Sequence, residues 1–227
     1  MKEYAIIVAG GIGRRMGSQI PKQFLLLSGL PLLMHTLNVF YRYSNKLQII
    51  LVLPKDLTDY WNVLCIKYKF VVPHKITAGG ASRYKSVKNG LAQIKKHDAL
   101  VAIHDGVRPL VTTNIIGTSF AEAAKFGSAI TAVNLTESIR QLYKNKNKAV
   151  DRNNYKLVQT PQTFQFALIK HAYDIEDIEY LTDDAIVAEK AGVNIHLIEG
   201  AYENIKITTK TDLSIAEGII KNHSSLQ

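Results

Sequence analysis

The chain has 227 residues, 47% of them apolar and 21% charged, and a formal net charge of +9 at pH 7. The single cysteine, Cys65, excludes an internal disulfide, no cluster of His and Cys has the spacing of a structural zinc site, and no apolar run approaches the roughly 20 residues that span a bilayer. We therefore expect a single cytoplasmic domain over residues 1–227, without a signal peptide or membrane contact, whose positive charge serves anionic ligands.

Short apolar runs alternate with segments of helical period along the chain, which predicts an open, mostly parallel twisted sheet with helices on both faces. In chain order, the predicted strands are 5–9, 48–53, 100–104, 128–133, 194–198 and 204–208. The predicted helices are 32–43, 57–68, 82–94, 113–126, 183–191 and 211–221. No repeat, low-complexity segment or linker separates a second domain.

The segment 137–159 breaks this alternation. Two half-apolar runs flank a polar centre at 144–148, which predicts a β-hairpin that projects from the main sheet, with a solvated surface loop as the alternative. Because a two-stranded ribbon is only marginally stable alone, we expect this arm, at about 134–159, to pack on a second subunit and form a homodimer.

A glycine-rich loop follows the first predicted strand. Gly10, Gly11 and Gly13 do not fit the P-loop pattern, and they fit the dinucleotide-binding pattern only loosely. Glycines still let backbone N–H groups approach phosphate oxygens, and Arg15 and Lys22 add fixed positive charge. The loop therefore indicates a phosphate site, with a plain glycine turn and two solvated basic side chains as the alternative.

Two later segments also lie at turns or strand ends, where ligands bind in open α/β sheets. The turn that ends at Gly80 feeds a helix that Ser82 could cap, a pattern that alone favours plain turn chemistry. Asp105 and Arg108 are an acid and a base three residues apart at the end of an apolar strand, for which a buried structural pair is the alternative. We interpret His104 as a packed histidine, because no partner has metal-ligand spacing.

The late segments combine charge with apolar neighbours. Thr182, followed by two aspartates, is typical of a capped helix start whose carboxylates suit the helix dipole. Arg152 and Lys206 each lie beside an apolar strand, where an unpaired charge needs a reason. These two cations are therefore candidates for a binding role.

The motifs that the sequence lacks exclude several classes of enzyme chemistry. The sequence has no Gly-x-Ser-x-Gly elbow, no H-E-x-x-H motif and no histidine adjacent to its cysteine. Its Lys and Arg residues are scattered, without the interleaved aromatics of nucleic-acid binders, which favours small phosphorylated ligands over nucleic acid. Cationic groups and backbone donors around one or two acids suit phosphoryl or nucleotidyl transfer, where catalysis is mostly positioning and charge stabilisation.

An opening motif and five later segments, in this order along the chain, carry a resemblance to a known family. The opening Ala-Gly-Gly-x-Gly-x-Arg-Met, followed by Pro-Lys-Gln, resembles the sugar-phosphate nucleotidyltransferases. The segments 104–109, 151–152, 160–162, 182–184 and 204–208 narrow the resemblance to the cytidylyltransferases. From about residue 4 to residue 220 the chain is similar to the 2-C-methyl-D-erythritol 4-phosphate cytidylyltransferase family of the non-mevalonate isoprenoid pathway. The resemblance implies a Rossmann-like nucleotidyltransferase domain that transfers CMP from CTP to a polyol phosphate and releases pyrophosphate.

The resemblance also implies roles for individual residues. Arg15 and Lys22 would be catalytic and hold the charge that develops on the α-phosphate, and Arg152 would reach the partner subunit's site. Mg²⁺, held mainly by triphosphate oxygens, would be the cofactor, with Asp105 as its candidate protein ligand, and neither a protein nucleophile nor a general base is needed. The implied CTP-binding residues are Ala9, Gly10, Gly11, Gly13, Gly80, Ser86, Asp105 and Gly106, and the implied acceptor-binding residues are Arg108, Thr136, Arg152, Thr182 and Lys206.

Three positions depart from the family pattern and leave alternatives open. Gly106 and Val107 replace the two alanines that are frequent in family members, and Ala81 replaces a frequent acid. The related ribitol-5-phosphate cytidylyltransferases share the CTP half of the site, so ribitol 5-phosphate is the alternative acceptor. A nucleotide-binding regulatory protein without catalysis is a further alternative, although the pair Arg15 and Lys22 argues against it.

Overall fold

The apolar runs of the chain pair into a seven-stranded sheet in the computed structural model, which describes residues 1–11, 20–175 and 183–224. In chain order the strands are β1 (Lys2–Val8), β2 (Leu26–Leu27), β3 (Leu30–Pro31), β4 (Gln48–Leu53), β5 (Lys75–Ala78), β6 (Ala99–Asp105), β7 (Ser128–Asn134), β8 (Arg140–Tyr143), β9 (Lys146–Ala149), β10 (Lys156–Gln165) and β11 (Leu197–Glu199). The helices are α1 (Leu32–Tyr43), α2 (Thr58–Lys67), α3 (Arg83–Leu91), α4 (Thr113–Phe126), α5 (Phe166–Ile175), α6 (Asp184–Lys190) and α7 (Lys210–Ser224).

The main sheet has the strand order β11-β7-β10-β6-β1-β4-β5. Its pairings are parallel, except that β10 pairs antiparallel with both β6 and β7. Short runs of Val, Ile, Leu and Ala fill the central strands, as expected for strands that are covered on both faces. The prediction of a mostly parallel α/β sheet is confirmed.

Alternate residues of the central strands enter two separate cores. In β1, Ala5 and Ile7 pack in one core with α1, α2 and α4, whereas Ile6 packs in the other with α3, α5 and α6. Helices therefore cover both faces of the sheet, as predicted. No helix within the described ranges is both long and apolar enough to cross a membrane.

Several predicted elements need correction. The segment 204–208 is not a strand, although Asn204 is fully buried and the Ile207 N–H donates at 2.9 Å to the carbonyl of Val107, two residues beyond β6. The predicted strand 194–198 is shorter and lies at Leu197–Glu199. Strands β5 and β10 and helix α5 were not predicted. The sequence of β10 lacks the apolar pattern of a buried strand, because some of its buried residues are polar. Thr163, for example, is fully buried and donates a hydrogen bond to Ser119 at 2.8 Å.

The predicted hairpin is confirmed as β8 and β9, which pair antiparallel from Arg140 opposite Ala149 to Tyr143 opposite Lys146. The turn lies at Lys144, whose φ is +50°, so the lysines that follow it belong to a strand rather than to a polar loop. This arm is a separate two-stranded sheet and leaves Leu142 and Tyr143 78% and 70% exposed.

The loops at one edge of the sheet are held by hydrogen bonds that continue the parallel ladder beyond the strands. The Ala9 N–H donates to the Val52 carbonyl at 2.9 Å, the Gly79 N–H to the Leu53 carbonyl at 2.7 Å, and the Gly106 N–H to Val8 at 2.9 Å. The loops after β1, β5 and β6 therefore meet at the carboxyl edge, the usual position of ligands in open α/β sheets.

Candidate functional site

Two adjoining pockets open at the carboxyl edge of the sheet. The first, of about 220 Å³, lies between the loop after β1 and the turn before α3, and the second, of about 180 Å³, lies beside β10. Arg83, Asp105 and Lys206 line both pockets. Other residues of the first are Ala9, Gly10, Gly11, Lys22, Gly80, Ala81, Ser82, Ser86 and Val107, and other residues of the second are Arg108, Gln159, Thr160, Gln162 and Asp183.

Glycines shape the first pocket by the absence of side chains. A Cβ at Gly80 would lie 2.3 Å from the Cβ of Lys85, a distance that no real structure tolerates. A Cβ at Gly11 would lie 3.1 Å from the Cε of Lys22, so this glycine allows the lysine to lie against the loop backbone. The structure therefore brings Gly11 and Lys22 together on one wall of the pocket, as the resemblance implies.

The neighbouring residue Gln23 holds the segment that carries Lys22 in place. Gln23 is fully buried, and its side-chain amide donates to the Ala9 carbonyl at 2.9 Å. This bond ties the short 3-10 helix Lys22–Phe24 to the end of β1. Arg15 and Gly13, predicted for the same loop, and Thr182, predicted for the acceptor side, lie outside the described residues.

The opposite wall is the turn before α3. Ser82 caps this helix by accepting from the Lys85 N–H at 3.1 Å, as predicted. The Ser86 hydroxyl donates to the Ser82 carbonyl at 2.9 Å and accepts from the Gly80 N–H at 3.1 Å. Ser86 thus both lines the pocket and fixes the turn, while Ala81 brings no carboxylate to it.

Asp105 is the electrostatic centre of the site, because three cations surround its buried carboxylate. Lys206 Nζ lies 2.9 Å and Arg108 Nε 3.5 Å from its Oδ2, and Arg83 Nε lies 3.7 Å from its Oδ1. Burial alone would raise the pKa of Asp105, but the positive charges of Arg83, Lys206 and Arg108 hold this pKa well below its usual range. The acid is therefore ionised at neutral pH and anchors the cations of both pockets.

His104 is fully buried beside Asp105, as the packed-histidine interpretation predicts, and burial lowers its pKa to about 4. Its Nε2 is 3.2 Å from the Arg108 carbonyl, which can only accept, so the neutral ring carries its proton there. Nδ1 then accepts from the Thr160 hydroxyl at 3.0 Å, and Thr160 in turn accepts from the Asp105 N–H at 3.1 Å. The chain fixes the backbone of Asp105 against β10.

The segment after β11 delivers Lys206. Asn204 donates from its side chain to Thr160 at 2.9 Å and to Gln159 at 3.1 Å, and its carbonyl accepts from Arg108 Nη1 at 2.7 Å. These bonds replace the strand predicted there. They join Arg108 and Lys206 in the second pocket, as the resemblance implies.

Arg83 and Asp184 are the site residues that the sequence reasoning missed. No role was predicted for Arg83, which directly follows the capping Ser82, and Asp184 was interpreted only as an acid at the start of a helix. In the structure, the two form a bidentate ion pair with bonds of 2.7 and 2.6 Å. The available signal was an arginine directly after a cap, at the base of a predicted ligand turn.

Two predicted acceptor-binding residues lie outside both pockets. Thr136 and Arg152 are exposed in the arm, outside its β8–β9 hairpin, and Arg152 Nη1 donates to the Thr136 carbonyl. The structure therefore joins these two residues to each other and does not bring them to Arg108 and Lys206 within one chain.

Comparisons with known proteins agree on one family. The family model described as 2-C-methyl-D-erythritol 4-phosphate cytidylyltransferase matches residues 4–222. The protein of that name from Bacteroides thetaiotaomicron is 49% identical over 220 residues, which cover 97% of this chain and 100% of the relative. The one from Porphyromonas gingivalis is 50% identical over 217 residues, covering 95% and 96%.

Solved structures give the same result. The 4-diphosphocytidyl-2C-methyl-D-erythritol synthase of Anaerococcus prevotii superposes with a TM-score of 0.84 at 27% identity and covers 97% of this chain and 96% of its own. The 2-C-methyl-D-erythritol 4-phosphate cytidylyltransferase of Francisella tularensis has a TM-score of 0.78 at 32% identity, with 96% and 99% coverage. The structural and the sequence comparisons thus point to the same family over nearly the whole chain.

Proposed function

Because the chain belongs to the 2-C-methyl-D-erythritol 4-phosphate cytidylyltransferase family, we propose a division of its reaction between the two pockets. The chain transfers CMP from CTP to 2-C-methyl-D-erythritol 4-phosphate, which gives 4-diphosphocytidyl-2-C-methyl-D-erythritol and pyrophosphate in isoprenoid biosynthesis. The names of its relatives favour this acceptor over ribitol 5-phosphate. The observation that carries the division is the placement of a glycine-lined pocket and a cationic pocket on either side of Asp105.

We assign CTP to the first pocket. The loop from Ala9 to Gly13 would wrap the triphosphate and bind it through backbone N–H groups beyond that of Ala9, which donates to Val52. Lys22, with Arg15, would stabilise charge on the α-phosphate. The position of Lys22 supports this role, because its Nζ would lie 3.5 Å from a Cβ built on Gly11, so the ammonium group lies beside the loop backbone. The turn at Gly80 and Ser86 would hold the base and ribose.

The loop after β6 closes the nucleotide side. Gly106 packs so tightly that a Cβ there would lie 3.0 Å from both Ala9 Cβ and Leu33 Cδ1. This close packing gives a physical reason for the glycine at this position of the motif. We propose that the backbone of Asp105 and Gly106 lies along the ribose, because Asp105 and Val107, on either side of this glycine, line the first pocket.

We assign the acceptor to the second pocket. Arg108 and Lys206 would bind its phosphate. The resemblance assigns Thr182 to the same acceptor. Asp105 would act as their common counter-charge, since its Oδ2 contacts both cations. An acceptor phosphate oxygen would then form a bond to the α-phosphorus of CTP while the bond to the β-phosphate oxygen breaks and pyrophosphate leaves. A phosphate monoester is already a nucleophile at neutral pH, so no protein base takes part.

The described residues do not form a metal site by themselves. Within the described ranges, no group of three or more His, Cys, Asp or Glu side chains could hold a metal ion. Both oxygens of Asp105 already contact cations, which disfavours it as a direct ligand. We propose that the reaction requires Mg²⁺ and that its oxygen ligands come mainly from the CTP phosphates, and none of the roles above depends on it.

We propose that the arm forms a homodimer and completes the acceptor pocket of a second copy. Leu142, Tyr143 and Leu157 leave apolar surface exposed there, and Arg152 and Thr136 are joined to each other close by. Mixing a Lys22→Ala protein with an Arg152→Ala protein tests this arrangement. Mixed dimers should regain activity, because one of their two sites keeps both residues, and complete inactivity at every mixing ratio would contradict a shared site.

A coupled assay of pyrophosphate release tests which polyol phosphate is the acceptor. The protein should release pyrophosphate from CTP with 2-C-methyl-D-erythritol 4-phosphate in preference to ribitol 5-phosphate. A clear preference for ribitol 5-phosphate would refute the acceptor assignment.

Since CTP is an intracellular nucleotide, we propose a cytoplasmic location, which cell fractionation with an antibody against the protein checks.

A further inference from the structure

Arg83 lies where the two pockets meet and contacts an acid that lines neither of them. Its Nη1 and Nη2 donate to the two oxygens of Asp184 at 2.7 and 2.6 Å. On the other edge of the guanidinium, Nε lies 3.7 Å from Oδ1 of Asp105. One planar group thus contacts a buried acid outside the pockets and the acid at their centre.

Asp184 is held too firmly to follow a substrate. It is fully buried at the first turn of α6, and the Tyr173 hydroxyl donates to its Oδ1 at 2.6 Å. Tyr173 stacks on Tyr84 with ring centroids 4.7 Å apart, and the Tyr84 hydroxyl donates to the Tyr173 carbonyl at 2.9 Å. The start of α6 is also bound to β10, because the Ala185 N–H donates to Gln162 at 2.9 Å.

A pair of this kind contributes little to stability compared with apolar residues of similar size, since the cost of removing both charges from water offsets their attraction. Its position beside Asp105 indicates a different use. We propose that Arg83 is a positioning residue that acts through Asp105: Asp184 and Tyr173 fix the guanidinium, and the guanidinium fixes Asp105 so that its Oδ2 orients Lys206 and Arg108. This role rests on the proposed function, because those two cations are the ones assigned to the acceptor.

The charge balance supports this geometry. Burial alone would raise the pKa of Asp105, but the positive charges of Arg83, Lys206 and Arg108 outweigh burial and lower this pKa. Arg83 itself remains charged despite burial, because the adjacent Asp184 raises its pKa. Lysine would not reproduce the arrangement, since an ammonium group lacks the planar fork that binds one carboxylate with two nitrogens and still presents a third.

The test compares the single variants Arg83→Met and Asp184→Asn with the double variant that carries both. Each single change leaves one buried partner unpaired, so its melting temperature should fall, whereas the double variant should recover most of that loss. Activity should not recover with it. At saturating CTP, kcat/KM for the acceptor should fall about tenfold or more in all three variants, while KM for CTP changes less than about threefold.

A matched control is Lys88→Met, which removes another cation from α3 that lies 5.7 Å from the Tyr84 ring, and it should retain kcat/KM within about twofold of the wild type. Recovery of kcat/KM in the double variant together with its melting temperature would overturn the proposal and leave Arg83 a purely structural residue. Equal increases in KM for CTP and for the acceptor would also overturn it, because they would place Arg83 in direct contact with CTP.

The wild-type protein separates this proposal from the proposed function. If it released no pyrophosphate with 2-C-methyl-D-erythritol 4-phosphate, the acceptor assignment would fail. The variants are then compared on ribitol 5-phosphate, or by calorimetric binding of each polyol phosphate in the presence of CTP. In each case the ratio of variant to wild type decides the role of Arg83.

Discussion

Replacement of Asp105 by Asn removes the one negative charge that three cations share. The amide has nearly the same shape as the carboxylate, so the change tests charge rather than packing. Lys206 and Arg108 then lie close to each other without their common counter-charge, while Arg83 keeps Asp184. We therefore expect Asp105→Asn to lower both the stability of the protein and its affinity for the acceptor.

The size of the stability loss follows from burial. Breaking a fully buried ion pair costs about 3–5 kcal/mol. Here the side chain of Asp105 is 10% exposed, but that of Lys206 is 41% exposed, and solvent weakens that contact. A loss of about 2–4 kcal/mol in the free energy of unfolding results, which corresponds to about 5–15 °C in melting temperature for a chain of this size.

The loss should depend on pH with a defined sign. The pKa of Asp105 is lowered in the folded protein, so the carboxylate contributes stability at pH values above its unfolded pKa of about 4, and this contribution is lost as pH falls towards the folded pKa. The difference in melting temperature between wild type and Asp105→Asn should be constant from about pH 8 to about pH 5 and should narrow below about pH 4.

Scanning calorimetry across this range measures the effect, with Asp98→Asn at an exposed position just before β6 as the control. The control should change the melting temperature by less than about 2 °C. Equal melting temperatures of Asp105→Asn and wild type at pH 7, or a difference that stays constant down to pH 3, would refute the reasoning.

Substitutions at Gly80 and at Arg152 test the wall of the first pocket and the role of the arm. Gly80→Ala should destabilise the protein by about 1–3 kcal/mol and weaken CTP binding, because its Cβ would overlap that of Lys85 at 2.3 Å. Gly218→Ala, at a helical glycine with no atom within 4 Å of the added Cβ, should instead raise the melting temperature slightly, and equal effects of the two changes would contradict the pocket geometry. Arg152→Ala should raise KM for the acceptor about tenfold and leave the CTP dissociation constant within about threefold, whereas Arg140→Ala on the same arm should change neither. Equal loss of both substrates in Arg152→Ala would place this residue elsewhere.

Regular apolar patterns allowed most of the fold to be predicted. Strands β4, β6 and β7 carry continuous apolar runs, and helices such as α1 and α4 place their apolar residues on one face. Strand β10 was not predicted because its buried half, apart from Phe164, consists of Gln, Thr and Pro, and hydrogen bonds involving Pro161 and Thr163 hold this polar stretch inside. Conversely, the apolar alternation at 204–208 resembles a strand, although Asn204 binds across to β10 through its side chain.

The parts of the candidate site that depend on glycine backbone geometry could be predicted from sequence motifs. The ion pairs of the site were harder to predict. Glycines at 11 and 80 mark close contacts, since a Cβ there would lie 3.1 and 2.3 Å from the nearest atom. The partner of Arg83 was not predictable, because Asp184 lies 101 residues away and only the fold brings α3 and α6 together. The position of Asp184 at the start of a helix is explained locally by the helix dipole, so no sequence pattern indicated its ion pair with Arg83.

The central claim is that the glycine loop after β1 and Lys22 catalyse transfer at the α-phosphate rather than merely bind CTP. Steady-state kinetics of Lys22→Ala, together with the CTP dissociation constant from calorimetry, tests it most directly, with the exposed Lys55→Ala as control. We predict that kcat falls by a factor on the order of 10² or more while the dissociation constant rises less than about tenfold, as expected for a contact made in the transition state. An unchanged kcat with only a higher KM for CTP would contradict the claim.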